Sequence, residues 1–502
     1  MVFPLSILLK IPLFSRNDYF CRDQAEMIKR ALYFVIIVVF AGIFSCEGPD
    51  ISTDPDAKLR FSYDTVYFDT IFTTIGSTTK QLKVYNHYNQ PLKISSIQLA
   101  GGQESVFRLN IDGVTENSAS DIEIPAEDSI YVFVEVTLDP NNADSLLMIK
   151  DSIVFITNGN IQDVDLVAWG QDVHLINGEI IQSETWINDK PYLVFNSMLV
   201  DTNEVLTIEE GVMVHFHRDS RLFVAGTIIV NGTMDNPVIF QGDRLEQLYK
   251  DIPGQWDGLW LLPGSHDNKI NFAVIKNGII GIESDTLAGT ALPTLDISNS
   301  IILNMSAVGI LGLGTSIKAS NCVIGKCGQF ALALIIGGSY EFYHCTIANY
   351  WGGYESTSRS NPSVVLNNYY EDINGNYQIR PIEKAFFGNC IIYGNRDSEF
   401  EIDSFPNTVI NYELNHCVTK IDPETFNLND PVHFNTIFNY EDPKFVSYEA
   451  DDYQLDTLSS AKDRGLVDYA LLYSFDLLEI NRLDDAGPDI GAYERVEGEP
   501  SH

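Results

Sequence analysis

Basic residues are scarce in this chain. Lys and Arg number 31 against 69 Asp and Glu in 502 residues, a formal charge of −38. A surface of that sign repels phosphate backbones, which excludes nucleic acid as a partner. Long apolar runs are also missing. The longest, Ala31–Phe44, has 14 residues, short of the roughly 20 that a bilayer-spanning helix requires. Cysteine is sparse, and beyond residue 46 it is confined to Cys322, Cys327, Cys345, Cys390 and Cys417. An odd, clustered set of thiols excludes a disulfide framework for the whole chain. No alanine-leucine-glutamate-lysine bias is present; instead 35 Gly, 24 Tyr and 28 Phe accompany many Val, Ile, Thr and Asn. That composition favours strands and turns, so an all-β protein of several domains is expected.

The apolar run follows Met27, Lys29 and Arg30 and precedes Ile43-Phe44-Ser45-Cys46. A positive start, a short apolar core and a cleavage site make a secretory signal over 27–46, leaving 1–26 as an upstream extension. Ile43 to Cys46 resembles the lipobox of bacterial lipoproteins, which implies lipidation at Cys46; a plain secretory signal with an incidental cysteine is the alternative. Residues 47–57 mix Glu47, Asp50, Asp54 and Asp56 with Pro, Gly, Ser and Thr and read as an acidic tether. Residues 1–46 hold five basic and three acidic residues, so the acidity belongs to the exported body.

From 58 to 173 short runs alternate apolar and polar residues, as at Gln81–Tyr85, Leu92–Ile97 and Ile130–Val136, with turn residues between them. This predicts an antiparallel sandwich. The order of LKVYN, LKISSIQLAGG, IPAEDSIYVFVEVTLDP and VDLVAWGQD resembles immunoglobulin-like domains of the HYDIN and choice-of-anchor D kind. That resemblance implies a spacer or protein-binding module.

From 186 to 440 the chain repeats. Asn271-Phe-Ala-Val-Ile, Asn299-Ser-Ile-Ile-Leu, Asn321-Cys-Val-Ile-Gly, His344-Cys-Thr-Ile-Ala, Asn389-Cys-Ile-Ile-Tyr and His416-Cys-Val-Thr follow at offsets of 28, 22, 23, 45 and 27 residues. One short strand per turn at such a period predicts a right-handed parallel β-helix of the pectin-lyase-like solenoid type, with 45 read as two turns. Side chains in a strand repeat every two residues, so the first and third positions after each anchor should point inward together. Four of the five body cysteines then form an interior ladder of small hydrophobes. Ahead of the repeats, Gly226 and Gly232 are expected at corners. His215 and His217 are expected on an exposed polar face, with a metal pair as the alternative.

The stretch 350–387 is rich in aromatics. Tyr350, Trp351, Tyr354, Tyr369 and Tyr370 next to amides and acids suit stacking on sugar rings, and equally suit packing of a long loop. Asp372, Asn374, Asn376 and Glu383 have calcium-loop spacing, but Tyr377 stands where that loop demands Gly, so no cofactor is expected and calcium is kept as the exception.

Between 441 and 496 come DPKFV, DYQL, SSAKDRG and PDIGAYE, closely similar to the end of choice-of-anchor Q β-helix proteins, and a segment capping the open end of the solenoid is expected. Asp489 and Glu494 are read as structural. The whole order also resembles an uncharacterised family of Bacteroidetes surface lipoproteins. That resemblance implies an outer-membrane or cell-surface location, with membrane contact through the N-terminal lipid alone. Polygalacturonase, pectate-lyase and pectin-esterase texts are absent from the coils, and the paired Asp at Asp451 and Asp484 fall in the closing segment. A non-catalytic lipoprotein binding polysaccharide or a surface protein is therefore expected, with a polysaccharide lyase or glycoside hydrolase as the alternative. Oligomeric state is not legible.

Overall fold

The computed structural model describes residues 50–73, 75–139, 147–285, 293–352 and 359–496. Cys46, the signal at 27–46 and Tyr354 lie outside them. Two compact units are present.

The strands between Arg60 and Gln171 form a β-sandwich. One sheet orders Arg60–Phe61, Lys80–Tyr85, Ser129–Val136 and Phe107–Ile111; the other orders Thr65–Phe72, Asn160–Gln171, Leu147–Thr157, Leu92–Leu99 and Ser118–Ile124. Strand alternation places Leu82, Val84, Val132 and Val134 inside from one sheet and Ile94, Ile97 and Phe155 from the other, all essentially without solvent contact.

The second unit contains the right-handed parallel β-helix. Its 24 strands form one continuous parallel sheet beginning at His174–Ile181, which pairs with Tyr192–Val200. The sheet winds through three faces. The first face includes Asn268–Asn271, Leu295–Ser298 and Ile382–Gly388; the second includes Ala273–Lys276, Ile301–Met305, Val323–Cys327, Thr346–Asn349 and Ile391–Gly394. The third includes Arg221–Val224, Gly258–Leu261, Ile280–Asp285, Val364–Asn367 and Phe400–Asp403.

The recurring Asn or His has a conformational cause. Asn299, Asn321, His344, Asn389 and His416 sit at the corner between first and second faces with φ between 47° and 52°. Asn and His tolerate this left-handed region better than bulkier or β-branched residues. Their amides also stack, since Asn299 Nδ2 donates to Asn271 Oδ1 (2.8 Å) and Asn321 Nδ2 to Asn299 Oδ1 (2.9 Å).

Two details of the repeat are corrected. In the first copy the left-handed residue is Phe272, not Asn271, and Ile275 rather than Val274 pairs with Ile302. The interior columns are thus Ala273, Ser300, Cys322, Cys345, Cys390 and Cys417, and Ile275, Ile302, Ile324, Ile347 and Ile392. The 45-residue offset is one enlarged coil, because Thr346 pairs directly with Ile391.

Each ladder thiol donates to a carbonyl two residues back: Cys322 to Ser320 (3.2 Å), Cys345 to Tyr343 (3.3 Å), Cys390 to Gly388 (3.3 Å) and Cys417 to Asn415 (3.5 Å). All are free and buried. Burial pushes Cys327 and Cys417 up to about 12, where almost no thiolate exists at neutral pH. Because Cys322, Cys345 and Cys390 have no solvent contact, iodoacetamide should leave them unmodified in the native protein and label them after denaturation, read by mass spectrometry. Rapid native labelling would refute the interior ladder.

The outward column of the second face is apolar too, with Leu303, Val323, Ala348, Ile391 and Val418 buried. The closing segment covers them. Tyr453, Leu477, Ala492 and Tyr493 pack on Leu303, Val323 and Ala348, while Leu455, Ala461 and Ile490 pack on Ile391 and Val418. Segment 441–496, expected as an end cap, thus lies along a flank, because strands apolar on both sides need cover on both.

Gly226 and Gly232 serve close approach. A Cβ would meet Glu204 O at 2.2 Å in the first and Phe272 O at 2.1 Å in the second. His215 is buried, contrary to the exposed-face expectation. Its Nδ1 lies 3.2 Å from Gly242 O, and loss of water lowers its pKa to about 4.

Candidate functional site

The outward side of the third face differs from an ordinary solvated sheet. Register carries one column of side chains from coil to coil through Phe223, Trp260, Glu283, Leu311, Ala333, Val365 and Glu401. With about 4.8 Å between rungs, Trp260 and Val365 lie about 19 Å apart along the axis. Within the column Ala333 and Val365, and beside it Val308, are buried against Ala307, Leu311, Phe330 and Ile335, forming an apolar patch outside the core. A cavity of about 520 Å³ opens over it, bordered by Gln329, Asn367, Tyr369, Tyr370 and Asp403.

Aromatic rings with polar partners stand at one end of the column and at the rim of the cavity. At one end the Arg221 guanidinium lies 4.1 Å from the Trp260 ring centroid and pairs with Asp257, while Phe223 meets Trp260 edge-on at 5.7 Å. The buried Trp260 Nε1 has no hydrogen-bond partner. On the next rung Glu283 and Asp285 occupy alternate positions of one strand, so both face outward, about 6.7 Å apart at Cα. Burial raises the Glu283 pKa, the Asp285 charge adds to this, and Arg221 opposes it.

At the cavity rim the Tyr369 hydroxyl donates to Asp403 Oδ1 (3.0 Å) and Asn367 Nδ2 donates to Asp403 Oδ2 (2.9 Å). Tyr369 meets Phe405 edge-on at 5.6 Å, and Arg380 lies 5.8 Å from the Tyr370 ring. Side chains here are held by one another before any ligand arrives, which lowers the ordering cost of binding.

The aromatic residues expected to act together are divided. Tyr369 and Tyr370 border the third-face groove. Tyr350 and Trp351 line a separate cleft of about 350 Å³ with Asp251, Asn304, Lys326 and Asp451. Tyr350 stacks on Tyr448 at 4.1 Å, so its ring packs the closing segment, and Lys326 is paired with Asp451.

The calcium spacing resolves as a hairpin turn. Asp372 Oδ1 accepts from the backbone of Asn374 (2.9 Å) and Asn376 (3.0 Å), Oδ2 accepts from Gln378 (3.0 Å), and Glu383 stands on a strand of the first face. Among the described residues no group of three His, Cys, Asp or Glu is placed to hold a metal. His217 Nδ1 contacts Asp243 at 2.6 Å.

Asp489 and Glu494 are buried in the closing segment beside Arg482, with their oxygens taken by backbone N–H groups of Asp463, Arg495 and Asp489. These bonds tie the closing segment together.

Sequence reasoning missed Phe223, Trp260, Glu283 and Asp285. GIESD, Gly281 to Asp285, did carry a signal, since carboxylates two apart in a strand share a face. Their juxtaposition with Trp260 requires coil-to-coil register, which no local pattern supplies.

No family model and no curated protein matches the sequence. Among solved structures, a protein of unknown function from Porphyromonas gingivalis W83 is 10% identical over 25% of this chain and 60% of that one, with a TM-score of 0.17. The chain thus spans less than two thirds of that protein. An ASH/PapD-like domain of human CEP192 is 12% identical over 26% of this chain and 94% of that one (TM-score 0.17). The catalytic domain of a GH87 α-1,3-glucanase in complex with tetrasaccharides is 10% identical over 74% and 89% (TM-score 0.19). At such scores none of these likenesses bears on activity.

Proposed function

We propose that this chain is a cell-envelope lipoprotein, anchored through Cys46 at the outer membrane or cell surface, whose β-helix binds a glycan chain along its third face without cleaving it. The observation that carries the reading is the open apolar patch of the third face, with Phe223 and Trp260 further along its outward column and Tyr369 and Tyr370 at the cavity rim. Sugar rings present apolar C–H faces and a polar rim. Trp260, Phe223, Tyr369 and Tyr370 match the faces, while Gln329, Asn367 and Asp403 match the hydroxyls. Stacked coils repeat these features along a line, as a polymeric ligand requires.

A second reading, hydrolysis, is favoured by one observation. Glu283 is pushed upward beside Asp285, the asymmetry that an acid and its partner carboxylate need. A lyase is less well served, because Arg221 is committed to Asp257.

Calorimetric titration of the purified protein with a glycan panel, with reducing ends assayed in parallel, separates these readings. Trp260→Ala should weaken binding on the order of tenfold through loss of the half-buried outward ring, with circular dichroism unchanged. Full affinity in the variant would remove the third face as the binding surface. Reducing ends released by the wild type and abolished by Glu283→Gln would establish hydrolysis instead.

A further inference from the structure

The charges around the groove point to a class of glycan. The carboxylates on or beside the third face are Asp257, Glu283, Asp285, Glu401 and Asp403. Among the described residues, the cations that meet aromatic rings there are Arg221, held by Asp257, and Arg380, set against the Tyr370 ring. Arg244, which precedes the Gly258–Leu261 strand, is held by Glu246 at 2.8 Å. A site for uronate or sulfated chains needs arginines or lysines directed at each anionic sugar. Here the rungs present the opposite sign, and Glu283 and Glu401 stand in the outward column itself.

We infer that the third face takes a neutral polysaccharide and rejects acidic ones. The inference rests on the glycan-binding reading above and adds the ligand's charge class to it. Carboxylates accept hydrogen bonds from sugar hydroxyls and act as strong acceptors when ionised, so they favour a hydroxyl-rich neutral chain. The same groups oppose a polyanion through like charge in a partly dehydrated groove. The net charge of −38 acts in the same direction at longer range.

The test titrates the full protein with dextran, laminarin and xyloglucan on one side and polygalacturonate and alginate on the other, at 0.15 M and 1 M salt. At least one neutral chain should bind, with affinity changed less than about twofold by salt because exposed charge attraction is not its source. The acidic chains should bind at least about tenfold more weakly than that neutral chain. In the double variant Glu283→Gln, Asp285→Asn, polygalacturonate affinity should rise on the order of tenfold. Tighter binding of polygalacturonate or alginate than of every neutral chain would overturn the inference while leaving glycan binding intact. So would a double variant that gains no affinity for the acidic chain. Binding of none of the five would overturn the glycan reading itself, and the inference with it.

Discussion

Replacing Arg482 by methionine should cost about 3–5 kcal/mol, because it removes the one buried cation that three buried carboxyl groups surround. The guanidinium has no solvent exposure; its Nη1 lies 3.3 Å from Glu494 Oε2, and its Nη2 donates to Asn321 Oδ1 (3.1 Å) and Gly491 O (3.1 Å). Asp476, Asp489 and Glu494 are buried around it. Without the cation they must take up further protons or return to water, and either costs free energy at neutral pH.

The pH dependence follows from the same groups. Burial raises the pKa of Asp489 to about 7, and burial with the Asp489 charge raises that of Glu494 to about 9. The folded protein therefore holds protons that the unfolded chain has already released. The stabilisation from these two groups is complete below their unfolded values near 4 and is lost as pH rises through about 7 and 9. Arg482→Met should be least harmful at pH 5 and most harmful at pH 9. Hydrogen exchange should show 441–496 opening before the interior coils. Equal stability loss at pH 5 and pH 9 would refute this role for the charge cluster.

Cys46→Ala should release the protein from the membrane. Lys29 and Arg30, the apolar run Ala31–Phe44 and Ile43 to Cys46 stand in the order that lipoprotein processing needs. Among the described residues no helix is long and apolar enough to cross a bilayer. Under the proposed lipidation, attachment depends on the acyl chains. Fractionation should move the variant from the membrane pellet to the soluble or unprocessed pool, with circular dichroism unchanged. Mass spectrometry of the wild type should find acyl groups on an N-terminal cysteine. Undiminished membrane retention of the variant would overturn the lipidation proposal.

Much of the architecture is legible locally. The Asn or His opening each repeat marks a left-handed corner, and the alternation after it marks which side chains enter the core; both follow from one or two dihedral angles. The slip at Asn271 shows the limit of that reading, since Phe272 takes the corner there and an anchor chosen by residue type is displaced by one. The enlarged coil shows another. After Thr346–Asn349 the next strand of the same face is Ile391–Gly394, so Thr346 meets Ile391, and sequence distance alone could not distinguish one long turn from two short ones.

The candidate site was less legible for a related reason. Tyr350, Trp351, Tyr369 and Tyr370 are close in sequence, yet the coil turns a corner between them and sends the pairs to different clefts. Trp260, Glu283, Leu311 and Val365 are far apart in sequence and become neighbours through parallel pairing. The sequence by itself determined an all-β chain, its β-helical repeats and its thiol ladder, because periodicity and backbone preference act over a few residues. Only the tertiary structure decided which outward columns are covered by the closing segment and which remain open as a groove. That choice depends on contacts between coils, where chain distance carries no information about proximity.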